Sequence, residues 1–146
     1  MMKPADLNGR ILEVPIIQGG MGVGVSLSSL AGHVMKEGGM GVISAAHPGY
    51  ARQDFRQDSI HANGEALKEA CAKARAISGG RGLLGVNIMV ASTDYDIYVK
   101  ASVEAGADAI ISGAGLPLHL PSLVEGSAIL LAPIISSAKA AKLVLR

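Results

Sequence analysis

The sequence predicts an α/β domain built on a parallel sheet, and three observations support that fold class. Short apolar segments rich in β-branched residues alternate along the chain with segments whose apolar residues follow a helical period. Hydrophobic residues make up 49% of the 146 residues and charged residues only 17%, which is typical of parallel strands covered on both faces. The segments "KEGGMGVISA" and "EAGADAIISG" share one joint, in which a helix ends at glycine and a strand follows. We therefore expect one domain over residues 1–146.

The predicted elements follow from hydrophobic period and from glycine stop signals. The first half should contain a strand over Val14–Gln18, a helix capped by Ser26 and ended by Gly38–Gly39, a strand over Met40–Ala46, a long polar loop over His47–Gly64, and a helix over Glu65–Ile77 ended by Gly79–Gly80. The second half should contain a strand over Leu83–Ala91, a helix over Asp94–Ala105, a strand over Ala109–Gly113, a short helix over Pro121–Glu125, a strand over Ile129–Ser136 and a last helix from about Ser137.

Two architectures fit this order of elements. Five strands in about 150 residues suit a flavodoxin-like open sheet. They also suit the first five units of a (β/α)₈ barrel, which typically needs about 250 residues. Length alone favours the open sheet slightly.

Composition excludes several classes of function. The formal charge is +1, from 13 basic and 12 acidic residues that are scattered along the chain, so we expect no nucleic-acid partner. The longest apolar run, "AILLAPII", is too short to span a bilayer, and the N-terminal segment lacks the apolar core of a signal peptide. The single Cys71 forms no intramolecular disulfide, and without a second cysteine we expect no thiolate metal site. These features predict a soluble, cytoplasmic protein.

The stretch "PIIQGGMGVGVS" (Pro15–Ser26) holds four glycines in six residues, directly after a predicted strand. It is not a Rossmann fingerprint, because the sixth position counted from Gly20 is Val25, and it is not a P-loop, because Val25 follows Gly24 where lysine is required. The stretch does lie at the carboxyl end of a strand, where both architectures bind ligands. Bare backbone there would let a planar ring approach closely, whereas the alternative is a tight turn with no ligand.

Two further strand ends carry polar or bare residues. Asn87 interrupts the apolar strand "GVNIMV", either as a hydrogen-bonded core residue or as a ligand contact. "SGAG" (Ser112–Gly115) repeats the pattern of strand, small polar residue and bare turn. Because the carboxyl ends of parallel strands meet at one edge of the sheet, the three segments predict one shared binding site.

At this point the chain resembles the flavin-dependent nitronate monooxygenases, formerly called 2-nitropropane dioxygenases. The resemblance runs through nearly the whole chain, in five segments that occur in order: "PIIQGGMGVGVSLSSLAG", "GGMGVISAA", "GVNIMVA", "IISGAGLPL" and "LAPIISSAKAAKLVL". A related group, the flavin-dependent enoyl-acyl-carrier-protein reductases, shares the QGGM, GVNIM and GAG elements. The residues after QGGM are more similar to the nitronate-oxidising group.

The resemblance implies a fold, a cofactor and an activity. Both groups are FMN-binding (β/α)₈ barrels, so this chain would be about the first five βα units of such a barrel, which replaces the open sheet favoured by length. The implied flavoprotein is an oxidoreductase in which an anionic alkyl nitronate, the small-molecule substrate, reduces FMN. Oxygen is consumed, and a carbonyl compound and nitrite are formed.

The resemblance also assigns residues. The cofactor-binding set it implies is Gln18, Gly19, Gly20, Met21, Gly22, Asn87, Ser112, Gly113, Ala114 and Gly115. Met21 and Gly22 would lie near the reactive edge of the flavin ring, and Asn87 would hydrogen-bond its polar side. The placement of His47 after the second strand and of His119 after the GAG turn makes both candidate substrate contacts. We expect His33 and His61 to be solvated and Cys71 to be a packing residue.

The chain departs from the family in length. The family's catalytic histidine lies in a Gly-Gly-His segment beyond the last strand present here, and its FMN phosphate loops come later still, so no catalytic residue is assigned. An incomplete barrel would expose sheet edges and apolar strand faces. Three hypotheses therefore stand: a truncated nitronate monooxygenase, an enoyl-acyl-carrier-protein reductase, and a non-catalytic half-barrel that associates as a homo-oligomer.

Overall fold

The computed structural model describes residues 3–145, which form an α/β fold with eleven elements. In chain order they are β1 Ala5–Leu7, β2 Arg10–Leu12, α1 Ser28–Lys36, β3 Met40–Ser44, α2 Ser59–Ser78, β4 Leu83–Met89, α3 Tyr95–Glu104, β5 Ala109–Gly113, α4 Leu120–Leu123, β6 Leu130–Pro133 and α5 Ala138–Val144.

The main sheet has four parallel strands in the order β3-β4-β5-β6, so each strand pairs with the next one along the chain. A flavodoxin-like sheet would reverse its order at one point, and the four described strands do not. Because each crossover in a parallel sheet is right-handed, an unreversed order places every connecting helix on the same face. The described sheet does not close into a barrel.

The helices cover one face of this sheet with the larger apolar core. Side chains of alternate strand residues, such as Ile43, Val86 and Ile110, pack there against Leu67 of α2 and Val99 of α3. All five of these side chains are fully buried. We call the opposite face, which carries Met40, Val42, Asn87 and Ile111, the open face.

A small hairpin covers the amino-terminal end of the open face. Strands β1 and β2 pair antiparallel around Asn8 and Gly9, both of which have positive φ, as a tight hairpin turn requires. Leu12 packs with Met40 and Leu83 in a second, smaller core. The hairpin leaves the carboxyl end of the open face uncovered.

The carboxylate of Asp108 connects several elements at this amino-terminal end of the sheet. Its Oδ2 accepts hydrogen bonds of 2.8 Å from the backbone N–H of Leu84 and from Arg75 Nη2, and its Oδ1 accepts one from Arg10 Nη1. Arg10 Nη2 also donates to the Ala128 carbonyl at 3.0 Å. One buried carboxylate therefore joins the hairpin, α2, β4 and the approach to β6.

Two predictions near the amino terminus are wrong in detail. The predicted strand over Val14–Gln18 is reduced to one parallel bridge between Ile17 and Met40, because the chain turns away at the glycines. The predicted N-cap Ser26 is not the cap, since α1 begins at Ser28 and Leu27 occupies the N-cap position. The buried Ser26 hydroxyl is instead bonded within the glycine-rich loop.

The predicted loop over His47–Gly64 is too long. Helix α2 begins at Ser59, so that His61 lies in a helix rather than in a loop, and Asp58 caps it by accepting a 3.0 Å bond from the His61 N–H. The buried Asn63 favours this early start, because it donates to Tyr98 Oη and accepts from the Gly49 N–H, each at 2.9 Å. Tertiary hydrogen bonds thus outweigh the weak helix propensity of Asn63 and Gly64.

The remaining predicted elements are confirmed within a few residues. Strand β5 has the predicted bounds, β4 ends two residues early at Met89, and Gly79 ends α2 in the left-handed conformation with φ +62°. The end of the last predicted helix, Arg146, lies outside the described residues. Among residues 3–145, no helix combines the length and the apolar character needed to cross a membrane.

Candidate functional site

The carboxyl ends of the strands form one edge of the sheet, and the predicted site residues lie along it. The loops that meet there are residues 18–26, 45–48, 90–94, 114–119 and 134–136. The glycine-rich loop covers the ends of β3 and β4, and the turn after β5 lies on the other side of Met89.

Gln18 fastens the glycine-rich loop to β3. Its backbone N–H donates to the Met40 carbonyl at 3.0 Å. Two residues further along β3, at Val42, its side chain makes the hydrogen bonds instead of its backbone. Gln18 Oε1 accepts from the Val42 N–H at 3.0 Å while Nε2 donates to the Val42 carbonyl at 3.1 Å. The side-chain amide therefore replaces the peptide group that the departing backbone removes from the sheet.

Gly20 and Asn87 form the contact between the loop and β4. Asn87 Nδ2 donates to the Gly20 carbonyl at 2.7 Å. A Cβ atom on Gly20 would lie 2.4 Å from Val42 Cγ1 and 3.0 Å from Asn87 Cβ, so only glycine fits there. Asn87 Oδ1 accepts no hydrogen bond from the residues that the structure describes, and it remains available to a ligand on the half-buried open face.

Ser26 closes the glycine-rich loop on itself. Its hydroxyl accepts from the Met21 N–H at 3.1 Å and lies 3.3 Å from the Gly19 carbonyl. Gly24 has φ +73°, and a Cβ atom there would meet Tyr50 Oη at 2.6 Å. Gly20 and Gly24 therefore have local structural reasons, and the four glycines together leave a stretch of bare backbone held at a fixed position on the open face.

Large apolar side chains surround this backbone and are exposed. Met21 has 69% of its surface accessible, and Met89 has 49%. Further exposed apolar residues on the loops of this edge are Val23, Val25, Leu116, Leu118, Ile134 and Ile135. Such clustering is typical of a surface that another group covers.

The four-residue segment predicted as the other wall divides into two parts. Ser112 follows Ile111 in the strand, so its side chain points to the helix-covered face, where it is fully buried and its Oγ lies 2.7 Å from Tyr95 Oη. Only the backbone of Ser112 lies near the site. Gly113 pairs with Met89 in the sheet, and Ala114 and Gly115 form an exposed turn with positive φ.

His47 lies at the predicted edge of the site. It follows β3 with a φ of +47°, and its ring packs edge-on against Phe55 with centroids 5.8 Å apart. It lines a cleft of about 310 Å³ together with Met89, Thr93 and Asp94. A small substrate at this cleft would lie next to the open face.

His119 is placed differently from His47. Its Nε2 lies 3.0 Å from Asp96 Oδ1, and its ring packs against Tyr95 with centroids 5.5 Å apart. The histidine thus joins the start of α4 to the start of α3. The exposure of His33 and His61 and the burial of Cys71 confirm their predicted surroundings, and burial raises the pKa of the Cys71 thiol to about 11.

Three residues of this edge were missed in the sequence. Met89 shares the open face with Asn87 because it lies two residues along the same strand, so strand alternation could have indicated it. Ser26 and Tyr95 act through tertiary hydrogen bonds that no local pattern encodes.

The donor set suits a flat ring better than it suits a metal or a phosphate. Among residues 3–145, no three histidine, cysteine or acidic side chains gather as a metal site. The five loop segments given above contain neither lysine nor arginine, and the two arginines further along the β3–α2 connection are Arg56 and Arg52, of which Arg52 is paired with Asp54 and Glu69. Bare backbone, one amide with a free acceptor oxygen and exposed apolar side chains fit the flat face of an aromatic heterocycle.

Comparisons with known proteins give a structural likeness. No protein-family model matches the chain, and no curated protein matches its sequence. The solved structure of FabK from Thermotoga maritima is similar, with a TM-score of 0.72 and 25% identity over 92% of this chain. A point-mutant form of that FabK gives a TM-score of 0.72 with 26% identity. The chain spans 38% and 39% of the length of these two structures.

Proposed function

We propose that this chain forms about the first five βα units of an FMN-binding (β/α)₈ barrel, and that the flavin ring lies on the open face at the carboxyl edge. In full, the proposed protein is a nitronate monooxygenase that oxidises alkyl nitronates. The likeness to FabK, a flavin-dependent enoyl-acyl-carrier-protein reductase with a TIM-barrel fold, supports the class of flavin oxidoreductase.

The observation that carries the proposal is the junction of Gly20 with Asn87. The amide of Asn87 holds the bare loop over the end of β4 with one atom and leaves its Oδ1 free on the same surface. An oxidised flavin ring offers one N–H donor on its polar edge, and Asn87 Oδ1 would accept it. Met21 and Met89 would contribute polarizable, apolar contacts to the ring.

FMN, when bound, supplies the electron transfer, and the chain supplies position and polarity. Gln18 and Ser26 keep the loop backbone in place through side-chain hydrogen bonds. His47 would face a small anionic substrate from the adjoining cleft. Any cationic side chain for the FMN phosphate would come from outside the five loop segments, because those segments carry no lysine or arginine.

A second candidate is enoyl-thioester reduction, which the structural likeness to FabK favours. The nitronate proposal depends on the sequence "GVGVSLSSLAG" after QGGM, which resembles the nitronate-oxidising group more closely. Both candidates place the flavin on the same face and differ in the electron donor, a nitronate in one case and a reduced nicotinamide in the other.

One assay separates the candidates. The 146-residue chain and a version completed to the full barrel are each purified and supplied with FMN, and oxygen uptake is recorded with an alkyl nitronate, then reduced-nicotinamide oxidation with an enoyl thioester. Turnover is expected of the completed barrel, because no catalytic residue is assigned within this chain. We expect nitronate-dependent oxygen uptake and nitrite release, both lost in Asn87→Leu and kept in Gln57→Leu, which changes an exposed amide just before α2. Nicotinamide oxidation alone would replace the proposal with enoyl reduction. Neither reaction, together with concentration-dependent oligomers, would indicate a self-associating, non-catalytic half-barrel.

A further inference from the structure

Resting on the proposed flavin site, we propose that Tyr95 is a positioning residue that holds the turn after β5 in the shape the flavin ring contacts. Tyr95 opens α3 and touches no part of the open face. It acts through Ser112 and through the packing of His119, which bracket the turn on both sides.

The hydroxyl of Tyr95 contacts the carboxyl end of β5 from the helix-covered face. Its Oη lies 2.7 Å from Ser112 Oγ, and both residues are buried. Burial raises the pKa of Tyr95, so the phenol keeps its proton at neutral pH. A hydrogen bond between two buried hydroxyls is costly to break from one side only, because the remaining group loses its partner.

The turn that follows needs such support. Ala114 has φ +56°, a conformation that costs a residue with a Cβ atom about 1 kcal/mol or more. Gly115 lies against Val90, since a Cβ atom there would be 2.9 Å from Val90 Cβ. The Val90 N–H also donates to the Gly113 carbonyl at 2.8 Å. The start of the turn is thus bonded to Val90, directly after β4, and Tyr95 supports the same end through Ser112 and the far end through its packing on His119.

Tyr98 provides a matched control on the same helix. It has the same accessible fraction as Tyr95, 3%, and burial likewise raises its pKa. Its hydroxyl accepts a 2.9 Å hydrogen bond from Asn63 Nδ2 of α2, so it holds no part of the turn after β5, and Tyr98 lines the cleft of His47 instead. Tyr95→Phe and Tyr98→Phe each remove one buried hydroxyl, but only the first touches the proposed flavin wall.

The test measures the dissociation constant for FMN by fluorescence quenching, with urea unfolding as a parallel record of stability. We expect Tyr95→Phe to raise the dissociation constant about tenfold and Tyr98→Phe to leave it within about twofold, although both lower stability similarly. Ser112→Ala should match Tyr95→Phe, and the double variant should lose less stability than the two single losses combined, because neither hydroxyl is then left unpaired. Equal dissociation constants for the two tyrosine variants would overturn the proposal.

A second readout separates this proposal from the proposed function. Amide hydrogen exchange of residues 113–118 should accelerate in Tyr95→Phe and remain unchanged in Tyr98→Phe, with no flavin present. If the native chain shows no affinity for FMN while exchange accelerates as expected, the flavin site is wrong and Tyr95 only stabilises a turn. If FMN binds and exchange does not change, the positioning role is wrong and the flavin site stands.

Discussion

Replacing Asp108 tests how the amino-terminal end of the sheet is held. Asp108→Ala leaves the buried Leu84 N–H without an acceptor, at about 2 kcal/mol, and it removes two arginine bonds. Arg10 and Arg75 are about one third exposed, so that each can return to water, and screening reduces each contribution to about 0.5–1 kcal/mol. The expected loss in the free energy of unfolding is therefore about 3–4 kcal/mol.

The assay is urea unfolding followed by far-UV circular dichroism, because the chain has no tryptophan. Asp108→Asn keeps an acceptor for Leu84 but loses the charge, and we expect it to cost about half as much as Asp108→Ala. Glu13→Gln, which breaks the exposed pair with Arg81, should leave the midpoint unchanged within error. The reasoning is refuted if Asp108→Ala unfolds at the same urea concentration as Glu13→Gln.

Two further predictions concern a thiol and a pair of glycines. Burial raises the pKa of Cys71 from 9.0 to about 11. The stability that the neutral thiol contributes is therefore fully present below pH 9.0 and is lost as the pH rises towards 11. A disulfide reagent should modify Cys71 slowly in the folded chain and rapidly in urea, and fast modification without denaturant would contradict its burial. Gly64→Ala, in open space within α2, should raise the free energy of unfolding by about 0.5–1 kcal/mol. Gly79→Ala, at φ +62°, should lower the free energy of unfolding by about 1–2 kcal/mol. Urea unfolding of both variants checks this prediction, and the opposite order of stability would exclude the helix end at Gly79.

Much of the fold could be predicted because the signals were local. Strand β5 and the end of α2 at Gly79 follow from β-branched runs and glycine stops. The hairpin β1–β2 was missed although Asn8-Gly9 is a strong turn signal, because its three-residue strands are too short for a periodic pattern.

The predicted strand at Val14–Gln18 failed for a different reason. Its backbone makes only one bridge, and the side chain of Gln18 supplies the next ladder contacts with Val42. Propensity cannot distinguish a glutamine that extends a strand from one whose amide replaces the backbone. The distinction depends on the departure of the chain at Gly19, which tertiary packing decides.

Which side chains of the candidate site share one face depends on the alternation of side chains along each strand and on the pairing of the strands. Asn87, predicted as either a hydrogen-bonded core residue or a ligand contact, lies on the open face and contacts Gly20 directly. Ser112 resembles Ser44 in the repeated sequence joint, but the register pairs Ser44 with Asn87 and Asn87 with Ile111. Ser112 therefore falls on the opposite face, and only the pairing register, which the sequence does not display, reveals that difference.

The visible absorption spectrum of the chain after gel filtration, with added FMN and separately with riboflavin, tests the central claim most directly. A ring site on the open face predicts that both flavins stay with the protein with perturbed bands and with similar affinity, because the five loops offer the phosphate no cation. Asn87→Leu should abolish the binding of both flavins. Flavin bands that elute only at the free-ligand position, or binding of FMN but not of riboflavin, would contradict a site built on ring contacts.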